Sequence, residues 1–248
     1  MGISQRPLMD RVPVANEPDA VRPPRRRRLP GVLLSVFAVL VLGCLVFVWV
    51  RYYQFDPAKS RLSPREHPLY FPVLMIHIVS SSLALAACVL QIWPWLRRRH
   101  PRVHRISGRI YVLAGIYPAA LTALVLTAWW PTNPINAFSD TLSSFLWIAI
   151  TTYGFVLARQ RRTADHRRWM LRSFALTISV IFNQLLFVPI GLVVKPMLAT
   201  QFPGNDDVLN MVWAGTVVWM GWTVPFLGVS WLLEREALRR SARRAATA

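Results

Sequence analysis

Acidic residues are scarce in this chain, and none falls within any of its six long apolar stretches. Asp and Glu number 11 among 248 residues, against 29 Lys and Arg. Ion-coupled pumps and carriers usually place a carboxylate inside the membrane to hold the coupling ion. The absence disfavours that mechanism and leaves pathways for neutral or anionic solutes open. Cysteine is also nearly missing. Cys44 and Cys88 each lie in an apolar stretch, where thiols behave as small hydrophobes, so neither a disulfide framework nor a zinc site is supported. Charge of any sign is thin at 16% of residues, below the roughly 25% of a soluble domain. Lysine occurs only at Lys59 and Lys195, so almost all the positive charge is arginine.

Hydrophobic residues make up 54% of the chain, and they are gathered into blocks with the charge crowded between them. That pattern predicts an all-α integral membrane protein, a six-helix transmembrane bundle. The expected spans are 30–50, 70–96, 110–130, 141–158, 173–194 and 208–233. Each is near or above the ~20 residues that cross ~30 Å of hydrocarbon, the fourth being shortest. Residues 1–29 carry several prolines and the arginine run 25–28 without apolar periodicity, which predicts a disordered basic cytoplasmic tail. The first apolar block is too long for a signal peptide and no small-residue cleavage site follows it. Residues 234–248 are polar and helix-favouring, with Glu236 and Arg240 spaced i,i+4. They form an expected cytoplasmic helical tail.

The net charge of +18 could suggest a nucleic-acid partner. Its distribution argues for topology instead, because the cations flank apolar blocks and line no soluble face. If the N-terminus is inside, the four cytoplasmic segments hold seven, six, six and five Lys or Arg residues. The external segments hold only Arg51, Lys59, Arg61, Arg65 and Lys195. This is the positive-inside pattern, and it places both termini in the cytoplasm. Trp49, Tyr52, Tyr53, Trp129 and Trp130 mark the outer interface, and Trp93, Trp95, Trp169 and Trp231 the inner one.

Chemistry-bearing residues fall into two sets. His77 is the ionisable residue well inside a span, and steps of three or four from it give Ser80, Ser81, Ala84, Cys88 and Gln91. A stripe of small and polar residues should face other helices. In the fifth span, Asn183 and Gln184 fall within reach of the same depth, so a ligand site or interhelical hydrogen bonding is expected among His77, Ser80, Ser81, Asn183 and Gln184. The second set lies in the cytoplasmic connections. RRRHPRVHRISGRIYV contains His104 and Arg109, and RQRRTADHRRWMLRSFALT contains His166, Arg167, Arg168 and Arg172. Both run from an arginine cluster through His-Arg into a helix, a weak parallel duplication that would bring His104 and His166 to one depth.

HRISGRIYV (104–112) and HRRWMLRSFALT (166–177), with the His77 helix before them, resemble an uncharacterised bacterial family of predicted membrane proteins, domain of unknown function 2306. The likeness spans roughly the second to the fifth helix. It implies a helical bundle in the bacterial cytoplasmic (inner) membrane and no particular activity. Three functions compete. One is a bundle that handles or transports a small molecule or lipid; Pro118, Pro189 and Pro225 interrupt spans and free backbone carbonyls that could face a cavity. The second is a membrane redox protein with haem b between His104 and His166. The third is a non-catalytic interaction protein whose Arg109, Arg167, Arg168 and Arg172 bind anionic lipid headgroups. No nucleophile–base pair supports an enzyme.

Overall fold

A computed structural model of the chain describes residues 29–57 and 67–246. The N-terminal tail and Lys59, Arg61 and Arg65, the cations expected to be external, lie outside the described residues. Those described form helices and turns without a strand: α1 (Leu29–Tyr52), α2 (Tyr70–Ile92), α3 (Pro94–Arg99), α4 (Pro101–Arg109), a π-helical segment (Ile110–Ile116), α5 (Tyr117–Trp129), α6 (Pro134–Arg159), α7 (Thr163–Thr177), α8 (Ser179–Gln201) and α9 (Asp206–Ala245). Six helical stretches are long and apolar enough to cross a membrane, with α4 through α5 counted as one continuous rod. In lipid each backbone N–H and C=O must be bonded within its own segment, which is why long helices are the form these blocks take. Large apolar side chains such as Val32, Val39, Leu192 and Leu227 stand exposed around the perimeter. This is the surface that acyl chains cover, and the molecule is a multi-pass membrane protein.

Proline and cap residues set most of the boundaries. The second span was expected to reach residue 96, but α2 ends at Ile92 because Trp93 precedes Pro94 and takes an extended conformation. Pro94 and Pro101 then open α3 and α4 from the first turn, where a missing N–H costs nothing. The π turns before Pro118 hold an i→i−5 bond from Tyr117 N–H to Val112 O. Widening of this kind accommodates a proline ring that would otherwise crowd the preceding turn.

Two spans differ from expectation in ways that reach the site. The fourth, expected as 141–158, begins a full two turns earlier. Asn133 caps it by accepting from Asn136 N–H at 2.9 Å, and Pro134 follows at the first helical position. The fifth, expected as 173–194, is divided at Ile178, whose backbone (φ −81°, ψ 0°) lies outside the helical well. Thr177 precedes the break and gives its hydroxyl to the carbonyl of Ser173 at 3.0 Å, a back-bond that bends helices. The sixth span and the polar tail behind it form one helix, α9.

Packing follows the order α2 against the π segment and α5, α5 against α6, α6 against α7, and α9 against α6, α7 and α8, with α1 at the edge touching α2 and α8. Backbone meets backbone most closely where Ala84 on α2 crosses Gly115 in the π segment; a Cβ on the glycine would sit 2.9 Å from Ala84 Cα. Ala84, Cys88, Tyr111, Val112 and Ile116 form the core around that crossing. The α2–α4–π connections and the α6–α7 turn bring their arginines to one end of the bundle. The opposite end carries Arg51 and Lys195 among the described residues.

Candidate functional site

Between the helices lies a cavity of about 400 Å³, within the 300–1,000 Å³ common for small-molecule sites. Residues of one helical face each supply its walls: Tyr70, Leu74, His77, Ser81 and Leu85 from α2, and Ala137, Asp140, Ser144 and Trp147 from α6. Thr127 comes from α5, Asn183 from α8 and Trp222 from α9. Trp130, Pro131 and Thr132, in the α5–α6 turn, rim it at the arginine-poor end.

His77 is positioned by its neighbours on α5. Its Nδ1 lies 2.9 Å from the carbonyl of Ala119. A carbonyl only accepts, so Nδ1 carries the proton, and in the neutral ring Nε2 presents a lone pair. Ser81 Oγ meets Nε2 at 3.5 Å, at the limit of a hydrogen bond. Nε2 is thus an acceptor at the cavity wall that Ser81 engages only weakly. His77 lies ~10 Å along α2 from its first residue.

Asp140 corrects the expectation that no acid lies within a span. It is the seventh residue of α6 and lines the cavity. Reading the span from 141 took the acid as the end of the apolar block, whereas the helix begins at its Asn133 cap. The four described salt bridges do not include Asp140, and no hydrogen bond to its carboxylate occurs among the described residues. The signal was present in the sequence. Asn-Pro at 133–134 is a helix start, and Ala137, Asp140, Ser144 and Trp147 then fall on one face.

Asn183 sits one turn past the α7–α8 break. Its Oδ1 is buried without a partner and rests over Gly221 of α9, so close that a Cβ there would lie 1.5 Å from it. Gln184, the next residue, is exposed on the outer face of α8, since a step of one along a helix turns ~100°. Ser80 is buried but bonds its own helix at Ile76 O, 2.6 Å away. The rest of the stripe is structural. Gln91 Nε2 donates to His104 O at 2.9 Å and to Ser107 Oγ at 2.7 Å, tying α2 to α4.

The cavity is closed toward the arginine-rich end by a buried network that the sequence did not reveal. Thr177 has spent its proton on Ser173 O, so it accepts from Tyr111 Oη at 2.6 Å and from Trp147 Nε1 at 3.2 Å. Tyr111 must then accept from Ser173 Oγ at 3.0 Å, and Ser173 from Thr151 Oγ1 at 2.7 Å. Every proton has one consistent direction, which makes a rigid floor from the π segment, α6 and α7.

The second set of residues gathers at the arginine-rich end. His166 Nδ1 donates to Gly154 O at 2.8 Å, and His104 lies close enough for charge on one ring to act on the other. The Nδ1 of His104 is buried without a partner. Neither lines the cavity, whose histidine is His77. Of the four candidate headgroup arginines, Arg109 and Arg167 are exposed. Arg172 and Arg168 instead meet Glu234 of α9 at 2.8 and 3.4 Å. Arg172 also lies over the Trp169 ring at 5.1 Å. Their charge is engaged within the protein.

Fold and site together define a polytopic α-helical membrane protein with a cavity among its helices, largely apolar in its walls and set with a few polar side chains. The chain belongs to the family of predicted membrane proteins called domain of unknown function 2306, whose model matches residues 74–225. That match runs from α2 to α9 and takes in His77, Asp140 and Asn183. No curated protein and no solved structure matches the chain.

Proposed function

We propose that this protein binds and passes a small polar solute through the cavity between α2, α5, α6 and α8. It does so in the bacterial cytoplasmic membrane, with the arginine-rich end inside. The observation that carries the reading is the cavity wall: His77 and Asp140 border it with acceptor atoms that no described residue binds or that are barely engaged. Buried polar groups are ordinarily satisfied, and each one left open in a membrane interior is costly. A solute that donates to them offsets that cost. The hydrogen-bonded floor closes the inner side, which corresponds to an outward-open state. The break at Ile178 supplies a flexing point beside Thr177, where the floor meets the cavity. Anionic headgroups gather at Arg109 and Arg167 on the inner surface, each cation near a charged membrane contributing about 1 kcal/mol.

A solute fits this arrangement better than haem does, since the cavity offers one histidine and the histidine pair lies outside it. A Soret band in the purified protein, lost on His104→Ala, would restore the redox reading.

Cysteine accessibility tests the solute pathway. In a Cys44→Ala, Cys88→Ala background, Ser144→Cys should react with a membrane-impermeant thiol reagent added outside. Leu227→Cys, on the lipid-facing surface, should not. Equal inertness of the two would mean that the cavity is sealed and dry, and the proposal would fall.

A further inference from the structure

We propose that the solute is a small organic cation, an alkylammonium or protonated amine, with Asp140 as its counter-charge. This rests on the cavity being a solute site and goes on to its chemistry.

Three observations on different elements converge. The charge lining the cavity has one sign: Asp140 is there, and no Lys or Arg among the described residues joins it. The strongest polar group on the facing wall also accepts, since His77 presents Nε2. Asp140 adds two more acceptor oxygens. An anionic solute would meet a carboxylate and the lone pair of His77 in a low-dielectric interior, where like charges repel most strongly. A solute that brings N–H groups and positive charge meets matching partners instead. The apolar part of the wall fits the same ligand. Tyr70, Trp130, Trp147 and Trp222 border the cavity, and the π faces of such rings attract ammonium groups, most of all when water is excluded. Rings with a carboxylate behind them select an organic cation over sodium, because a bare metal ion requires a shell of oxygen ligands. A cavity of about 400 Å³ also leaves room for more than a bare ion.

Asp140 is on the path inward from the rim and deep enough to be partly shielded from water. That position lets it draw a cation off the surface into the cavity that His77 also lines. The hydroxyls of Ser81 and Ser144, one on each side, can turn to accept or donate according to the rest of the solute.

The test is calorimetric titration of the full chain in maltoside micelles, since phosphocholine detergents carry the very group being probed. The probes are methylammonium, choline, sodium, acetate, and 3,3-dimethylbutanol as the neutral isostere of choline. Choline or methylammonium should bind at least about tenfold more tightly than the isostere, a ratio expected of one shielded charge pair. Asp140→Asn should abolish that preference while the isostere still binds, and Asp140→Glu should keep it. Equal binding of choline and isostere, or tighter binding of acetate or sodium, overturns the cation assignment and leaves the solute site standing. Absence of binding by either organic cation below about 10 mM, with Ser144→Cys still reactive, overturns the assignment alone. Absence of binding with Ser144→Cys inert removes the solute site as well. If Asp140→Asn does not fold, the comparison of choline with its isostere on the unaltered protein decides.

Discussion

Gly221 and Asn183 show how far one residue's place can depend on another's lack of a side chain. A methyl group at Gly221 would fall 1.5 Å from Asn183 Oδ1 and 2.6 Å from its Cγ, so the carboxamide must leave its position over α9. Overpacking of a fitted interior costs about 1–3 kcal/mol. Gly221→Ala should therefore destabilise the protein by that order in a detergent unfolding titration. In an Asn183→Ala background the same substitution should cost much less, because the nearest atom then left is the Asn183 backbone N, at an ordinary 3.4 Å from the new Cβ. Equal costs in the two backgrounds would show that the two residues do not interact, and a double-mutant cycle measures the difference directly. This pairing was half legible in the sequence. Asn183 stands out as an amide in an apolar helix, but its neighbour Gln184 stands out equally. Only helix rotation against neighbours separates them, one lining the cavity and the other exposed. Asp140 was hidden by a different effect. Hydropathy ends a span at the first acid, whereas the helix itself begins where Asn133 caps it.

At the scale of elements, the α2 crossing with the π segment sets how closely the cavity walls can approach. Ala84 meets Gly115 through its backbone, and backbone cannot swing aside as a side-chain tip can. Gly115→Ala must push α2 and the π segment apart, loosening the core of Cys88, Tyr111, Val112 and Ile116. A loss of about 1–3 kcal/mol is expected. Gly228 is the control, since a Cβ there meets nothing within 4 Å. Gly228→Ala should be neutral or slightly stabilising, as alanine is the better helix former. Melting of the two variants side by side in one detergent checks both directions; a Gly115→Ala protein as stable as Gly228→Ala would show that the helices separate without cost. Pro118, Pro189 and Pro225 all lie in continuous helices, and the break within the fifth expected span, at Ile178, has no proline beside it. Beside it, the Thr177 hydroxyl is turned onto its own helix within a buried network. Such a network joins three elements, so no local pattern of residues announces it.

The whole molecule is an asymmetric object in its charge more than in its shape. The described ends differ sharply: arginines from α3, α4, α7 and the close of α9 gather at one, while the other shows Arg51 over the Phe47 ring and Lys195 over Trp213 at 3.9 Å. The acids do not mirror this. Asp206 and Asp207 open α9 at the arginine-poor end, where they favourably meet the positive pole of the helix, and Glu234 sits among the arginines. Orientation is governed by Lys and Arg near span ends and scarcely by Asp and Glu. It follows that the arginine-rich end should be cytoplasmic, and that six crossings return the chain to the side on which it began. Reporter fusions after residues 132 and 203 should therefore read as external, and fusions after residues 100, 161 and 246 as cytoplasmic. The fusion after residue 132 carries the most weight, because Pro131 and Thr132 rim the cavity and their side decides whether the solute enters from outside. A cytoplasmic signal there, with an external one after residue 161, would invert the bundle. The same cavity would then open inward, and the thiol reagent would reach Ser144→Cys only from the cytoplasmic face.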